Sequence, residues 1–497
     1  MVRSISGDNR VKLKSIFLWS DKVLFLIIVV ALAFVALSDL DMNYDNLAYH
    51  LPFTARRAGI IPKSAYDFGE WLEQCYKAFP PLPYFVNGAI WRVTGSPNGG
   101  ALISLLGFGG FCLLINRLFK VPLLLAFVAF AAVPAVQVNI IHATVDLFAN
   151  MAFASALILA TVVLVDRRGA WWILAATAAA ALAGNYKPQF VPLAGIFVPF
   201  FAVGIVFARG TDGLIASIGP RKRTFAILLT LAIIGCYFVA LRNSILYGNP
   251  LYPIHLRIFG RSLPGVHIND LYPLPAYLAH APQQIRWFLS IIEYHALDFR
   301  PVPYTLGQGD VPATADSANM GGYFSFYVFF NLWLFFTSAW RKGVRHRWLA
   351  LVFVVGSAAI ASTPSSQSLR FFSFWMLYLV AMNFAYLWVW NGTDFVGRRY
   401  FTAVSVSAFL FVVAVTGGTY FLNHGRSLNG LIADFKINER FVSKFEDGKR
   451  YCLINWNQLG VLAAAPLHPG RSYFTIYGRS PEECATNNAT PVDFSAP

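Results

Sequence analysis

The sequence predicts an all-α, polytopic membrane protein, and three observations lead to that class. Hydrophobic residues make up 57% of the 497-residue chain and charged residues only 13%, where a soluble protein carries roughly a quarter. Apolar runs of about 18 to 22 residues recur along the chain, the length needed to cross a hydrocarbon core. Lys and Arg cluster between these runs in the manner of orientation signals. The same clustering excludes nucleic acid as a partner despite a net charge of +15, because no basic stripe interleaved with aromatics is present.

About eleven spans follow, at 23–38, 99–116, 121–141, 147–165, 170–184, 190–208, 224–241, 321–340, 348–363, 371–390 and 401–422. No small-residue cleavage site follows the first apolar run, so it reads as a retained anchor. Basic residues fall on one side, from Arg3, Arg10, Lys12, Lys14 and Lys22 through Arg221-Lys222-Arg223 to Arg398-Arg399. The short loops of the other side carry only Lys187 and Arg370. The positive-inside rule then places the N-terminus in the cytoplasm and the C-terminus outside.

Three long segments lie outside: a first loop at 39–98, a second at 242–320, and the tail. Segments this long in a membrane protein are usually functional. Residues 1–422 therefore read as a transmembrane catalytic domain and 423–497 as a small extracytoplasmic mixed α/β domain. The first loop, with its Phe79-Pro80-Pro81-Leu82-Pro83-Tyr84 stretch, predicts helices along the membrane surface with Trp71, Tyr84 and Trp91 at the interface. The tail predicts a helix near 428–445 and strands near 451–456 and 472–477. Cys112 and Cys236 fall in spans as packing residues, and Cys75 lies in the first loop. Cys452 and Cys484 share the tail, on the side where disulfides persist, and make a candidate bridge.

Polar residues gather at the outer ends of the spans. Asp39, Asp41, Asp45, Tyr49 and His50 follow the first span, and His142, Thr144 and Asp146 lie between the third and fourth. Asn185, Tyr186, Lys187 and Gln189 lie between the fifth and sixth. Arg242 and Asn243 follow the seventh, and Gln367 and Arg370 precede the tenth. Ionisable groups near a membrane are costly and are paired or functional. Here carboxylates can take a proton from an acceptor hydroxyl, and Lys187, Arg242 and Arg370 can hold a phosphate or pyrophosphate. Each has a plainer reading. Asp41 or Asp45 can cap a helix, Lys187 and Arg370 can snorkel to head groups, and Gln367 or His142 can satisfy a neighbouring helix.

The Asp45-Asn46-Leu47-Ala48-Tyr49-His50-Leu51-Pro52 segment resembles the first outer-loop signature of GT-C superfamily glycosyltransferases. The Phe79–Pro83 stretch, the Thr144-x-Asp146 pattern and the Arg242-Asn243…Gly248-Asn249-Pro250-Leu251-Tyr252-Pro253 segment are similar to the bacterial branch. That branch includes protein O-mannosyltransferase-like and lipid A sugar transferase-like enzymes. The resemblance covers the first seven spans and hardly touches the tail. It implies a GT-C-like fold in a bacterial inner membrane, and an enzyme moving a hexosyl or pentosyl group from a polyprenyl-phosphate donor to a lipid, glycan or protein acceptor.

By the same resemblance Asp45, or else Asp41, is the catalytic base, and Asp146 orients the acceptor or helps hold a magnesium or manganese ion. Lys187 and Arg370, with Arg242 less directly, hold the carrier phosphate. Tyr49, His50, Gln189, Asn243 and Gln367 line the substrate site. Many relatives carry Asp-Glu where this chain has Asp45-Asn46, so a metal site here lacks one carboxylate, and the residues themselves call for no cofactor. An O-antigen ligase or polymerase remains the alternative, through His255, His267, His280 and His295 in the second loop. A transporter would show inverted repeats and midplane polar groups, and the sequence shows neither.

Overall fold

A helix forms at every expected span, because a backbone in hydrocarbon must satisfy its own hydrogen bonds. The computed structural model describes residues 7–41, 45–60, 66–67, 69–97, 99–143, 145–166, 168–258, 260–266, 281–292, 324–363, 366, 368–391, 394–416, 427–454, 462–464, 467–468, 470–477 and 480–493. The chain opens with α1 (Gly7–Ser38). The first loop then holds α2 (Leu51–Arg57), β1 (Tyr66–Asp67), α3 (Gly69–Ala78) and α4 (Leu82–Thr94). Next come α5 (Gly99–Phe119), α6 (Leu123–Ala131), α7 (Pro134–Asn139), α8 (Asp146–Asp166), α9 (Trp171–Tyr186), α10 (Phe190–Arg209), α11 (Thr211–Ile218) and α12 (Lys222–Tyr247). A short hairpin, β2 (Leu256–Ile258) with β3 (Arg261–Leu263), begins the second loop, which also holds α13 (Gln283–Ile292). The bundle ends with α14 (Phe324–Arg341), α15 (Val344–Ala361), α16 (Phe374–Ala385) and α17 (Phe395–Thr416).

Seven stretches of the described helices are long and apolar enough to cross a membrane, and a shorter apolar one runs Phe374–Trp390. The span expected at 121–141 is two helices, α6 and α7, not one. Pro134 opens α7, and it can neither donate to residue 130 nor sit against that carbonyl without a clash. Helix α8 lies mostly buried at the centre, whereas α1, α12 and α17 expose apolar faces such as Ile27, Phe34, Leu231 and Phe238. Lipid satisfies such faces, so association depends on close packing of small residues. Ala156, Ala180 and Cys236 bring α8, α9 and α12 together, and a side chain at Gly184 would press on the Cys236 carbonyl.

The tail folds against the first loop. It contains α18 (Leu428–Asp434), α19 (Ile437–Arg440), β4 (Arg450–Ile454), β5 (Phe474–Tyr477), α20 (Pro481–Thr486) and β6 (Thr490–Asp493). The expected helix at 428–445 is broken, since Lys436 adopts φ +51 between α18 and α19. The sheet is parallel, in the order β1-β5-β4-β6, so its edge strand comes from the first loop. One apolar core joins Leu47, Phe53, Cys75 and Tyr84 of the loop to Leu431, Phe441, Leu453 and Tyr473 of the tail. Tyr84 and Trp91 are buried in this core rather than placed at a lipid interface, because the tail covers them. The side chain of Trp71 lies outside the described residues.

Cys452 on β4 and Cys484 on α20 are disulfide-bonded, with Cα atoms 5.4 Å apart. Closing this loop stabilises the tail by about 3 to 4 kcal/mol through the unfolded chain. Cys484→Ser should therefore lower the unfolding midpoint of the tail. Alkylation followed by mass spectrometry should leave both native cysteines unmodified before reduction, and two free thiols would refute the bridge.

Candidate active site

Four segments meet at one end of the bundle: the first loop, the α7–α8 connection, the α9–α10 connection and the segment before α16. The sequence dictates their local form. Asp45 leads into a widened turn at Asn46–His50 that runs on into α2. Pro52 at the second position of α2 has no N–H, and its ring crowds the carbonyl of residue 48, so the preceding turn opens. Tyr49 rests on His50, ring centroids 4.2 Å apart, and meets Phe79 edge-on. His50 is buried, and its Nδ1 makes no hydrogen bond.

Two ion pairs face each other across Phe371. Arg370 contacts the Asp45 Oδ2 at 2.6 Å, and Lys187 contacts the Asp146 carboxylate. The Lys187 ammonium lies 3.9 Å from the centre of the Phe371 ring, and the Arg370 guanidinium 4.8 Å from it. Each cation thus gains ring contact as well as a carboxylate, which offsets part of its desolvation. Burial still pulls the Lys187 ammonium well below its ordinary range; Arg370 adds to this, and Asp45 opposes it.

Around these pairs sits a layer of hydrogen bonds. Gln189 donates to the Phe371 carbonyl at 2.8 Å. Asn150, one turn into α8, donates to the carbonyls of Asp146 and Arg370 and accepts from the Phe374 N–H at 2.8 Å. Asn150 therefore ties the Arg370 segment to the helix that carries Asp146. The sequence reading passed it over, although a polar residue four positions after Asp146 in an apolar span was a legible signal. Phe371 was missed as well, since an aromatic among many carries no mark of its own.

Asp41 stands apart from Asp45. Its Oδ1 meets the His142 Nδ1 at 2.7 Å, and its Oδ2 accepts from the Ala143 N–H at 2.7 Å. This clasp joins the end of α1 to the connection that presents Asp146. The His142 Nε2 is buried without a hydrogen bond. Arg242 and Asn243 serve a different contact. Both donate to the Ala78 carbonyl, and Asn243 also donates to that of Tyr252, which holds the Phe79–Pro83 segment against α12. Asn249 closes the following turn, donating to Ile254 and Pro264 and accepting from the Leu251 N–H.

Among the described residues no three His, Cys, Asp or Glu side chains gather as a metal-binding group. Thr144, Gln367, His267, His280 and His295 lie outside the described residues. His255 is described, in the loop that follows Asn249. The site thus brings together Asp45, Asp146, Lys187, Gln189, Arg370, Tyr49 and His50, and places Arg242, Asn243 and Asp41 in neighbouring supports.

Comparison with solved structures finds a crystal structure of ArnT from Cupriavidus metallidurans in the apo state, with a TM-score of 0.53. The match covers 94% of this chain and 88% of that chain at 14% sequence identity. The chain shares the fold of that structure, in keeping with the GT-C-like fold that the sequence resemblance implies. No protein-family model matches it, and neither does any curated protein sequence. Its long apolar helices are those of a multi-pass membrane protein, and the ion pairs cluster at one end of them.

The site carries a built-in pH dependence. Burial pushes the His50 imidazole from 6.5 down to about 3; Asp45 and Asp41 pull it up, and Lys187 and Arg370 push it further down. The unfolded chain takes up this proton near pH 6.5 while the folded protein does not until about pH 3, so stability falls as pH drops through that window. The loss attributable to His50 is on the order of 2 kcal/mol between pH 7 and pH 5. Thermal unfolding of the wild type and of His50→Gln at the two pH values should show a shallower decline in the variant. Parallel declines would place the dependence elsewhere.

Proposed function

We propose that the chain is a membrane glycosyltransferase that moves a sugar from a polyprenyl-phosphate donor to a hydroxyl of a lipid, glycan or protein acceptor. It works at the outer face of a bacterial inner membrane, with the N-terminus cytoplasmic and the tail periplasmic. The observation that carries this reading is the pairing of two cations and two carboxylates about Phe371 at one end of a GT-C bundle. A sugar phosphate needs cations where charge develops on the leaving oxygen, and its acceptor needs a carboxylate where the proton departs.

In this assignment the acceptor oxygen attacks the anomeric carbon as its proton passes to Asp45. The bond from that carbon to the phosphate oxygen breaks, and Lys187 and Arg370 stabilise the departing phosphate. Asp146 holds Lys187 in place. Asp41 keeps the first loop on the α7–α8 connection through His142 and Ala143. His50, neutral and next to Asp45, is a hydrogen-bonding partner for a sugar or acceptor hydroxyl, with Tyr49 and Gln189 beside it.

The deciding experiment is transfer from a panel of radiolabelled hexosyl and pentosyl polyprenyl phosphates by the detergent-purified protein, with EDTA, magnesium or manganese in parallel. Transfer from none of them would sink the proposal. Asp45→Asn keeps size and polarity but removes the basic oxygen, and turnover should fall about a hundredfold or more. If Asp41→Asn abolishes turnover while Asp45→Asn spares it, the base is misassigned. Lys187→Ala and Arg370→Ala should each raise the donor KM by about ten- to a hundredfold, the worth of one charge-assisted hydrogen bond. An unchanged KM in both would instead point to cations that only reach toward head groups. Reporter fusions after Ser38 and in the tail should both report export, and a cytoplasmic tail would reverse the orientation.

A further inference from the structure

The cations assigned above to the donor phosphate are already occupied. Arg370 holds Asp45 at 2.6 Å, and Lys187 holds Asp146. In each pair cation and carboxylate come from different segments: the first loop against the segment before α16, and the start of α8 against the α9–α10 connection. Such a pair can open by a small relative shift of two segments without unwinding either. Both pairs are largely buried, and a buried cation deprived of its carboxylate demands another anion. A carboxylate oxygen held against a guanidinium is also committed to that pair and turned away from an acceptor hydroxyl. The oxygen required to take up a proton is therefore already engaged by Arg370.

We propose that the Asp45 carboxylate competes with the donor phosphate for Arg370, and that the arriving phosphate displaces it from the guanidinium. This rests on the glycosyltransferase reading and adds its control. The ligand class is a phosphate ester on a polyprenyl lipid, and the exchange couples donor binding to activation of the base. Once displaced, the Asp45 oxygen is released from the guanidinium and can accept from the acceptor hydroxyl. The acceptor O–H bond then breaks toward Asp45 while the acceptor oxygen bonds the anomeric carbon and the phosphate leaves with the electron pair. After the phosphate departs, Asp45 gives its proton to water and pairs again with Arg370. The pair is thus broken and re-formed in every cycle. Asn150 bonds the Arg370 carbonyl and the Phe374 N–H, so the cation stays in place while its partner changes.

The exchange makes a prediction opposite in sign to that for an ordinary binding residue. Removing the Asp45 charge eliminates the competitor for Arg370, so Asp45→Asn should bind a short-chain polyprenyl monophosphate more tightly, by about tenfold, while transfer is lost. Arg370→Gln should bind it more weakly, and the double variant should bind no more tightly than Arg370→Gln alone. Binding is measured by calorimetry on the full-length protein in detergent, with inorganic phosphate as a second probe, and thermal melting confirms that each variant is folded. Asp45→Ser removes the same competing charge and applies the same test if Asp45→Asn does not fold. An affinity unchanged or weakened in the folded variant overturns the exchange, whether or not the wild type transfers sugar. Tighter binding in Asp45→Asn by a protein that transfers no sugar from any donor supports the exchange and refutes the function instead. A wild type and a folded variant that bind neither probe overturn both.

Discussion

The two buried ion pairs about Phe371 are the constraint on which the arrangement of the site depends. Desolvating a charge costs several kcal/mol after relaxation, and only a close partner with well-placed hydrogen bonds recovers it. Asp146 opens α8 and Lys187 follows the end of α9, but Asp45 and Arg370 come from segments far apart in the sequence. The requirement that each charge find its partner therefore draws the first loop, α8, the α9–α10 connection and the segment before α16 to one place. Phe371 completes it by offering one ring to both cations.

Around that centre, polar side chains bonded to the backbone do the aligning. Asn150 uses both ends of its amide on backbone groups, joining α8 to the start of α16. Asp41 spends both carboxylate oxygens on His142 and the Ala143 N–H. Arg242 and Asn243 converge on one carbonyl of the first loop. A donor aimed at a backbone carbonyl fixes the course of the chain, and that course decides where the next charged side chain sits. The residues that resemble the GT-C signature thus divide into those around Phe371 and those that hold its walls in register.

The tail bears on the same centre from outside. Because β1 of the first loop is the edge strand of the tail's sheet, and Phe53 and Tyr84 share a core with Phe441 and Tyr473, the loop carrying Asp45 and His50 is backed by the tail. The disulfide between β4 and α20 braces that support. A long loop at the surface of a bundle has too little core of its own to stay ordered, and shared burial supplies it.

The sequence by itself determined the class, the helices and the polar ends. Apolar length is a local property, so every expected span carries a helix, and a charge beside an apolar run has to be functional or paired whatever surrounds it. Strands near 450 and 474 were legible for the same reason. The broken α6–α7 segment was legible in principle at Pro134, but the apolar run around it hid the break. What no local pattern carries is partnership. Asp45 read as the base with Asp41, four residues before it, as the alternative; the fold gives Asp41 a histidine and a backbone amide and Asp45 an arginine. Arg242 read as a less direct phosphate ligand, and the fold sets it on the Ala78 carbonyl. Tyr84 and Trp91 read as interfacial until the tail covered them. Each of these depends on segments distant in the chain meeting in space, and only tertiary packing chooses among the many partners that a charge or an aromatic ring can accept.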